Sequence, residues 1–283
     1  MATILANGTK LDFEDRGRGD PVVLVHGDVG DRRSWVAVAP VLARSHRVLA
    51  YSRRHHWPNE AIRPGEGSLL DVHAADLVAL LEEAGAAPAH LVGHSFGACV
   101  AMLVARDRPD LVRSLVLVEP PMLPLVMRVP PTPEDLERLA KDDPLLSRAV
   151  DELMARCLAP TIADFARGDV PSGIARFLAY HGERQAADPA RLAQANDNGA
   201  VMAGALLVGH FSPFTERDAR SIMAPTLLVT GSQSPPYLRR LAERLVALLP
   251  RAERIDLPGV GHFLPEEAPE AFGKAALGFL ARR

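Results

Sequence analysis

Two short stretches of this chain have the residue types and spacing for acyl chemistry. The first is Gly93-His94-Ser95-Phe96-Gly97, a G-x-S-x-G pattern. Residues 90–93 read as a buried strand and 96–106 as a helix, so the chain must turn from one into the other almost at once. That turn strains the Ser95 backbone and exposes its hydroxyl at the sheet edge. Gly93 and Gly97 keep the neighbouring positions clear of side chains. The helix start behind Ser95 offers N–H groups and a positive dipole end to a developing oxyanion.

A serine hydroxyl needs a base. Of the ten histidines, His262 stands in Gly259-Val260-Gly261-His262-Phe263, between the last predicted strand and the last helix. Loop glycines let its ring swing toward Ser95, and it follows the serine as the chain order Ser, acid, His requires. His46, His73, His90 and His181 read as surface or helix-edge residues. His26-Gly27-Asp28-Val29-Gly30 follows the first core strand, where a turn sets a second backbone N–H beside that of Phe96. The expected oxyanion donors are the N–H groups of Phe96 and Asp28. The Asp28 carboxylate, repulsive to an oxyanion, should turn away.

Positioning these groups takes a sheet. Residues 3–5 and 11–15 flank an Asn7-Gly8 turn as a hairpin, and 21–25, 47–51, 90–93, 114–118, 225–230 and 252–257 read as strands. Leu70, Ala74, Leu77 and Leu81 share one face of a helix over 69–84, with further helices at 96–106, 236–249 and 269–282. This alternation predicts an α/β fold: a mostly parallel sheet flanked by helices. Prolines crowd the stretch between Pro120 and Pro133 and interrupt the rhythm. Thr132 then caps a helix with Pro133 in its first turn, and helical segments continue to about residue 220, with breaks at Pro144, Pro160, Pro171 and Gly182. The expected organisation is a core of residues 1–120 and 222–283 with an all-helical insertion, a cap, at 121–221.

The 283 residues carry 32 Lys+Arg against 35 Asp+Glu, a balance that argues against nucleic-acid binding. Hydrophobic residues at 48% suit a globular chain, and only 5% aromatic residues leave a mostly aliphatic core. Cys99 and Cys157 lie in apolar helical patterns without metal spacing and read as reduced, buried thiols. The adjacent His55 and His56 supply too few ligands for a metal. Gly17-Arg18-Gly19 lacks the third glycine of a dinucleotide fingerprint, and there is no P-loop or HExxH. Residues 1–7 do not read as a signal peptide. The uncharged apolar stretch at 199–209 falls short of the roughly 20 residues that span a bilayer. A soluble, cytoplasmic protein with no membrane partner is expected.

With these residues in place, the chain resembles the α/β-hydrolase fold family, in its serine-nucleophile subgroup with a helical cap after the sixth strand. His26-Gly27, the Ser95 pentapeptide, the helical insertion and Gly261-His262 carry the resemblance. It implies a Ser–His–acid triad, no cofactor, and a small-molecule pocket between sheet edge and cap. Ser95 argues against haloalkane dehalogenase or epoxide hydrolase chemistry, which places Asp at the elbow. Two departures stand out. Where the family often carries the triad Asp after the strand at 225–230, this chain has Ser234. Where it usually reads Asp-x-Arg-Gly-x-Gly, this chain reads Ser52-Arg53-Arg54-His55-His56-Trp57-Pro58. His55, His56 and Trp57 either shape the pocket, hold an anionic part of the substrate, or form a surface loop. Some family members place the acid after the sixth strand instead, which makes Glu119 the expected partner of His262 and Asp218, before the next strand, the runner-up. Met122, Leu123, Leu125 and Phe211, near the start and end of the cap, are the expected apolar pocket residues. The expected activity is hydrolysis of an ester, thioester or lactone. Alternatives are carbon–carbon bond hydrolysis or lysis with the same residues, and a ligand-binding receptor with a slow or vestigial triad.

Overall fold

The structure, a computed structural model, describes residues 2–63, 65–182, 187–208 and 211–283. Eight strands form one sheet in the order β1-β2-β4-β3-β5-β6-β7-β8. They are β1 (Ala2–Ala6), β2 (Thr9–Gly17), β3 (Pro21–Val25), β4 (Arg47–Tyr51), β5 (Ala89–His94), β6 (Val112–Val118), β7 (Thr226–Gly231) and β8 (Ala252–Leu257). The β1–β2 and β2–β4 pairs are antiparallel, and every later pairing is parallel. Helices α1 (Ala39–Leu42), α2 (Leu70–Glu83) and α3 (Phe96–Asp107) connect the first strands.

Strand β3 shows how the sheet is covered on both faces. Val23 and Val25 join one apolar cluster with α2 and α3, whereas Val22 and Leu24 join another with Trp35, Phe272 and Phe279. Successive side chains point to opposite faces, so a continuous apolar run is what a doubly covered strand requires. Both cysteines are buried and free.

Between β6 and β7 the described residues contain helices and no strand: α4 (Pro133–Asp142), α5 (Pro144–Leu153), α6 (Ala159–Ala166), α7 (Val170–His181), α8 (Pro189–Asp197), α9 (Gly199–Val208) and α10 (Glu216–Ser221). Thr132 caps α4, its hydroxyl accepting the Asp135 N–H while Asp135 returns a bond to the Thr132 N–H. At Pro160 the helical run does not break; a π-helical segment, Met154–Leu158, joins α5 to α6. The expected break at Gly182 is the C-cap of α7. Residues 183–186 and Gly209, at the end of the expected apolar stretch, lie outside the described residues. After β7 come α11 (Pro236–Leu248), a single turn α12 (Leu264–Glu267) absent from the sequence reading, and α13 (Pro269–Leu280). Among the described residues no helix is long and apolar enough to cross a membrane.

In this order β3 lies between β4 and β5, so successive connections diverge from it and open a crevice at the C-terminal edge of the sheet. The loops after β3, β5, β6 and β8 all leave at that edge, and they hold Asp28, Ser95, Glu119 and His262.

Candidate active site

The turn from β5 to α3 is as tight as the pentapeptide demands. Ser95 has φ +53°, a conformation that costs a side-chain-bearing residue about 1–3 kcal/mol. A Cβ on Gly97 would stand 2.2 Å from the Val25 carbonyl oxygen, and one on Gly93 would stand 2.6 Å from the Ala98 Cα. Both glycines are required by close backbone approach. The Ser95 N–H donates to the Val118 carbonyl at 2.8 Å, tying the elbow to the end of β6.

His262 Nε2 lies 3.0 Å from Ser95 Oγ, and His262 Nδ1 lies 2.8 Å from Glu119 Oε2. The Nδ1–H donates to the carboxylate, leaving Nε2 to accept the serine proton. Glu119 Oε1 accepts the Gly231 N–H at 2.7 Å. Glu119 itself has φ +46°, a second strained residue in the same cluster. His94 Nε2 lies 2.9 Å from the His262 carbonyl, so its N–H anchors the histidine loop to the elbow.

Burial governs the electrostatics. It lowers the His262 pKa, reinforced by the Arg191 charge and opposed by Asp28, so the ring is held neutral. Burial raises Glu119, opposed by the Ser234 hydroxyl and the Gly231 N–H, which favour the carboxylate. Ser234, at the usual acid position, is buried next to that carboxylate. Asp218 lies apart from the cluster and caps α10 through Thr215.

Asp28 lines the small cavity over Ser95 together with Gly27, Arg191, Phe177, His262 and Phe263. The Asp28 carboxylate lies 3.3 Å from Arg53 Nη2. Phe96 opens α3, where N–H groups point out of the helix start. The cavity over Ser95 measures about 10 Å³, room for one water.

The residues expected to line the pocket separate. Leu125 and Phe211 share an apolar cavity of about 640 Å³ between the segments that lead into and out of the helical insertion. The Phe211 ring stands 5.9 Å from that of Phe96, next to Ser95. Met122 and Leu123 are buried in the main apolar cluster and line neither cavity. Trp57 is a clasp: Arg33 lies 3.9 Å over its ring, and its backbone N–H donates to Asn198 Oδ1 at 2.8 Å. His55 adopts φ +65° where the family carries glycine, and His56 is fully buried.

The surface reading of four histidines is corrected, since all are buried. Each found a polar partner that makes burial tolerable: His46 with Ser45, His73 with Ser68, His90 with Ser114, and His181 with Tyr237. The His181 ring packs 5.2 Å from that of His262.

Sequence reasoning also missed the polar face of α8. Arg191 Nη1 donates to the Val29 carbonyl at 2.8 Å, Gln194 Nε2 reaches Asp31 Oδ1 at 3.2 Å, and Asp197 accepts from Arg33 at 2.8 Å. Asn198, just beyond, donates to Asp31 Oδ2 at 2.9 Å. Spacings of three and four place these on one side of a helix. That pattern was present in the sequence, but its partner, the loop after β3, was not readable.

A sequence model described as "Alpha/beta hydrolase family" matches residues 22–275. The chain is 30% identical to a non-heme chloroperoxidase of Streptomyces lividans over 292 aligned residues, covering 99% of each. It is 40% identical over 108 residues to a dihydrolipoyllysine-residue acetyltransferase component of the acetoin cleaving system of Pseudomonas putida, covering 38% of this chain and 28% of that relative. In fold it resembles the enol-lactonase of Burkholderia xenovorans LB400, with a TM-score of 0.75 at 18% identity over 99% of this chain and 100% of the other. The sheet order, the elbow after β5 and the match along most of the chain agree: this protein belongs to the alpha/beta hydrolase family.

Proposed function

We propose that this enzyme hydrolyses a carboxylic ester, thioester or lactone through a Ser95–His262–Glu119 triad and an acyl-enzyme. The observation that carries the reading is the unbroken contact from Ser95 Oγ to His262 Nε2 and from Nδ1 to Glu119. His262 takes the Ser95 proton as Oγ bonds to the substrate carbonyl carbon. The resulting oxyanion is held by the N–H groups of Phe96 and Asp28. His262 then gives the proton to the leaving group as the carbon–oxygen or carbon–sulfur bond breaks. Water, deprotonated by the same ring, attacks the acyl-enzyme and frees the acid and Ser95. Glu119 holds the ring's tautomer and stabilises its charged form throughout.

The helical insertion at 121–221 acts as the substrate lid in this reading. A cavity of about 10 Å³ over Ser95 admits no substrate, so binding requires the lid to shift. The apolar cavity reached past Phe96 and Phe211 then takes the acyl chain.

The test is a fluorophosphonate probe together with chromogenic esters of graded chain length. Labelling at Ser95 and ester turnover that falls by several orders of magnitude in Ser95→Ala are expected. Turnover of a vinylogous 1,5-diketone in place of esters supports carbon–carbon bond cleavage instead. Binding without turnover of any of these supports a receptor.

A further inference from the structure

We propose that Arg53 is the positioning residue of the oxyanion hole, acting through the carbonyl of Gly27. The inference rests on the acyl-enzyme reading above and assigns a task to a residue outside the triad.

Arg53 follows β4 and is fully buried, an expensive place for a guanidinium unless its bonds serve the surrounding structure. Apart from a contact of Nη2 with His56 Nε2 at 3.2 Å, those bonds converge on the loop after β3. Arg53 Nη2 donates to the Gly27 carbonyl at 3.1 Å, and Nε donates to the His26 carbonyl at 3.1 Å. The Arg53 backbone N–H donates to His26 Nε2 at 2.8 Å. A backbone N–H can only donate, so Nε2 is the unprotonated ring nitrogen of His26 and Nδ1 carries the hydrogen. That hydrogen points to the Gly27 carbonyl, 2.8 Å away. The Gly30 N–H reaches the same oxygen at 3.3 Å. Three donors thus meet one carbonyl.

The next atom in the chain after that carbonyl is the Asp28 nitrogen. In a trans peptide, C=O and N–H point in opposite directions. Fixing the Gly27 oxygen away from the cavity therefore aims the Asp28 N–H toward it. The loop also packs close to the elbow, since a Cβ built on Gly27 would lie 3.0 Å from Ser95 Cβ. A rotation of this peptide plane would turn a carbonyl oxygen toward the place where negative charge develops.

Arg53 has a second task in the same place. Its Nη2 is 3.3 Å from Asp28 Oδ1. A carboxylate on an oxyanion-hole residue is an obstacle to catalysis, and the buried cation draws it aside. The guanidinium also lies 4.8 Å over the Phe96 ring, so it touches both residues whose N–H groups are assigned to the hole. Lysine carries the charge but cannot hold both carbonyls with one rigid fork.

The experiment compares wild type with Arg53→Lys, using a chromogenic ester, a trifluoromethyl ketone and an unreactive alkyl ketone of the same shape. The trifluoromethyl ketone binds as a tetrahedral oxyanion adduct, whereas the alkyl ketone reports ground-state binding. The expected result is a fall in kcat of about 10²–10³, the loss seen when an oxyanion donor is removed, with KM nearly unchanged. Affinity for the trifluoromethyl ketone falls in parallel, and affinity for the alkyl ketone holds. Should Arg53→Lys not fold, Arg53→Gln, uncharged and less costly to bury, carries the same comparison. A variant with lowered thermal stability but unaltered kcat, or one that weakens both ketones equally, overturns the proposal and leaves Arg53 a structural residue. Failure of the acyl-enzyme reading is seen separately, as absence of fluorophosphonate labelling at Ser95 in the wild type.

Discussion

The Glu119 carboxylate bridges two strand ends: Oε2 faces His262 at 2.8 Å, and Oε1 accepts the N–H of Gly231, the last residue of β7, at 2.7 Å. The acid thus leaves from β6 but is held by β7, three residues before Ser234.

Glu119→Gln should lower kcat by about 10³–10⁴, because an amide cannot stabilise the imidazolium and favours the wrong ring tautomer. Asp218→Asn, at a helix cap, should change kcat little. Ser234→Asp in the Glu119→Gln background should recover part of the loss, since Ser234 already packs against the site of the carboxylate. Steady-state ester kinetics on the four proteins decide it. Equal loss in the Asp218 variant would point to another acid.

Acid should destabilise the fold early. Burial is the foremost cause that lowers the pKa of His26, His56, His73, His90, His94, His181 and His262. Below about pH 6.5 the unfolded chain takes up protons that the folded chain refuses, so stability falls as pH falls. Each such group contributes up to ~1.4 kcal/mol per pH unit in that window. Glu119 and Glu266, raised by burial, act the opposite way above pH 4.5, but they are outnumbered. The urea midpoint should be lower at pH 5.5 than at pH 7.5; a flat or rising midpoint contradicts this account. For the same reason, the acid limb of kcat/KM should lie below pH 6.5.

Gly97→Ala should abolish activity and cost several kcal/mol or prevent folding, since its Cβ would overlap the carbonyl oxygens of Val25 and His26. A soluble, active Gly97→Ala protein with an unchanged thermal midpoint would show that the elbow can relax.

The apolar residues flanking the helical insertion should divide by role. Leu125→Ala and Phe211→Ala should shift chain-length preference among esters, because both residues line the 640 Å³ cavity. Met122→Ala should instead cost about 2–5 kcal/mol with preference retained, as expected for a residue fully buried in the core. Thermal denaturation beside a chain-length series separates the two outcomes.

The sheet and the Ser95–His262 pair were legible in the sequence because each rests on a local signal. A buried strand running into Gly93-His94-Ser95-Phe96-Gly97 needs nothing distant to interpret it. Glu119 was legible only through the resemblance, which places the acid after the sixth strand in some members when, as at Ser234, the usual position lacks one. His181 was misread, and Trp57 left open between pocket and surface loop, for one reason. A side chain's surroundings depend on which helix lies over it, and no periodicity in residues 170–200 says that α7 packs on His262 or that Asn198 meets Trp57. Arg53 stands in a loop with a second arginine and two histidines, but its bonds reach back to residues 26–28.

The polar face of α8 has a consequence for how such a protein diversifies. Arg191, Gln194, Asp197 and Asn198 bind residues 29–34, the segment that continues from the loop after β3. If the helices between β6 and β7 were exchanged alone between relatives, they would arrive with a face complementary to another protein's loop. The unit that has to match is therefore discontinuous, comprising the helices between β6 and β7 together with residues 29–34. Recombinants that carry both pieces should retain a shaped catalytic centre where those that carry the insertion alone lose it.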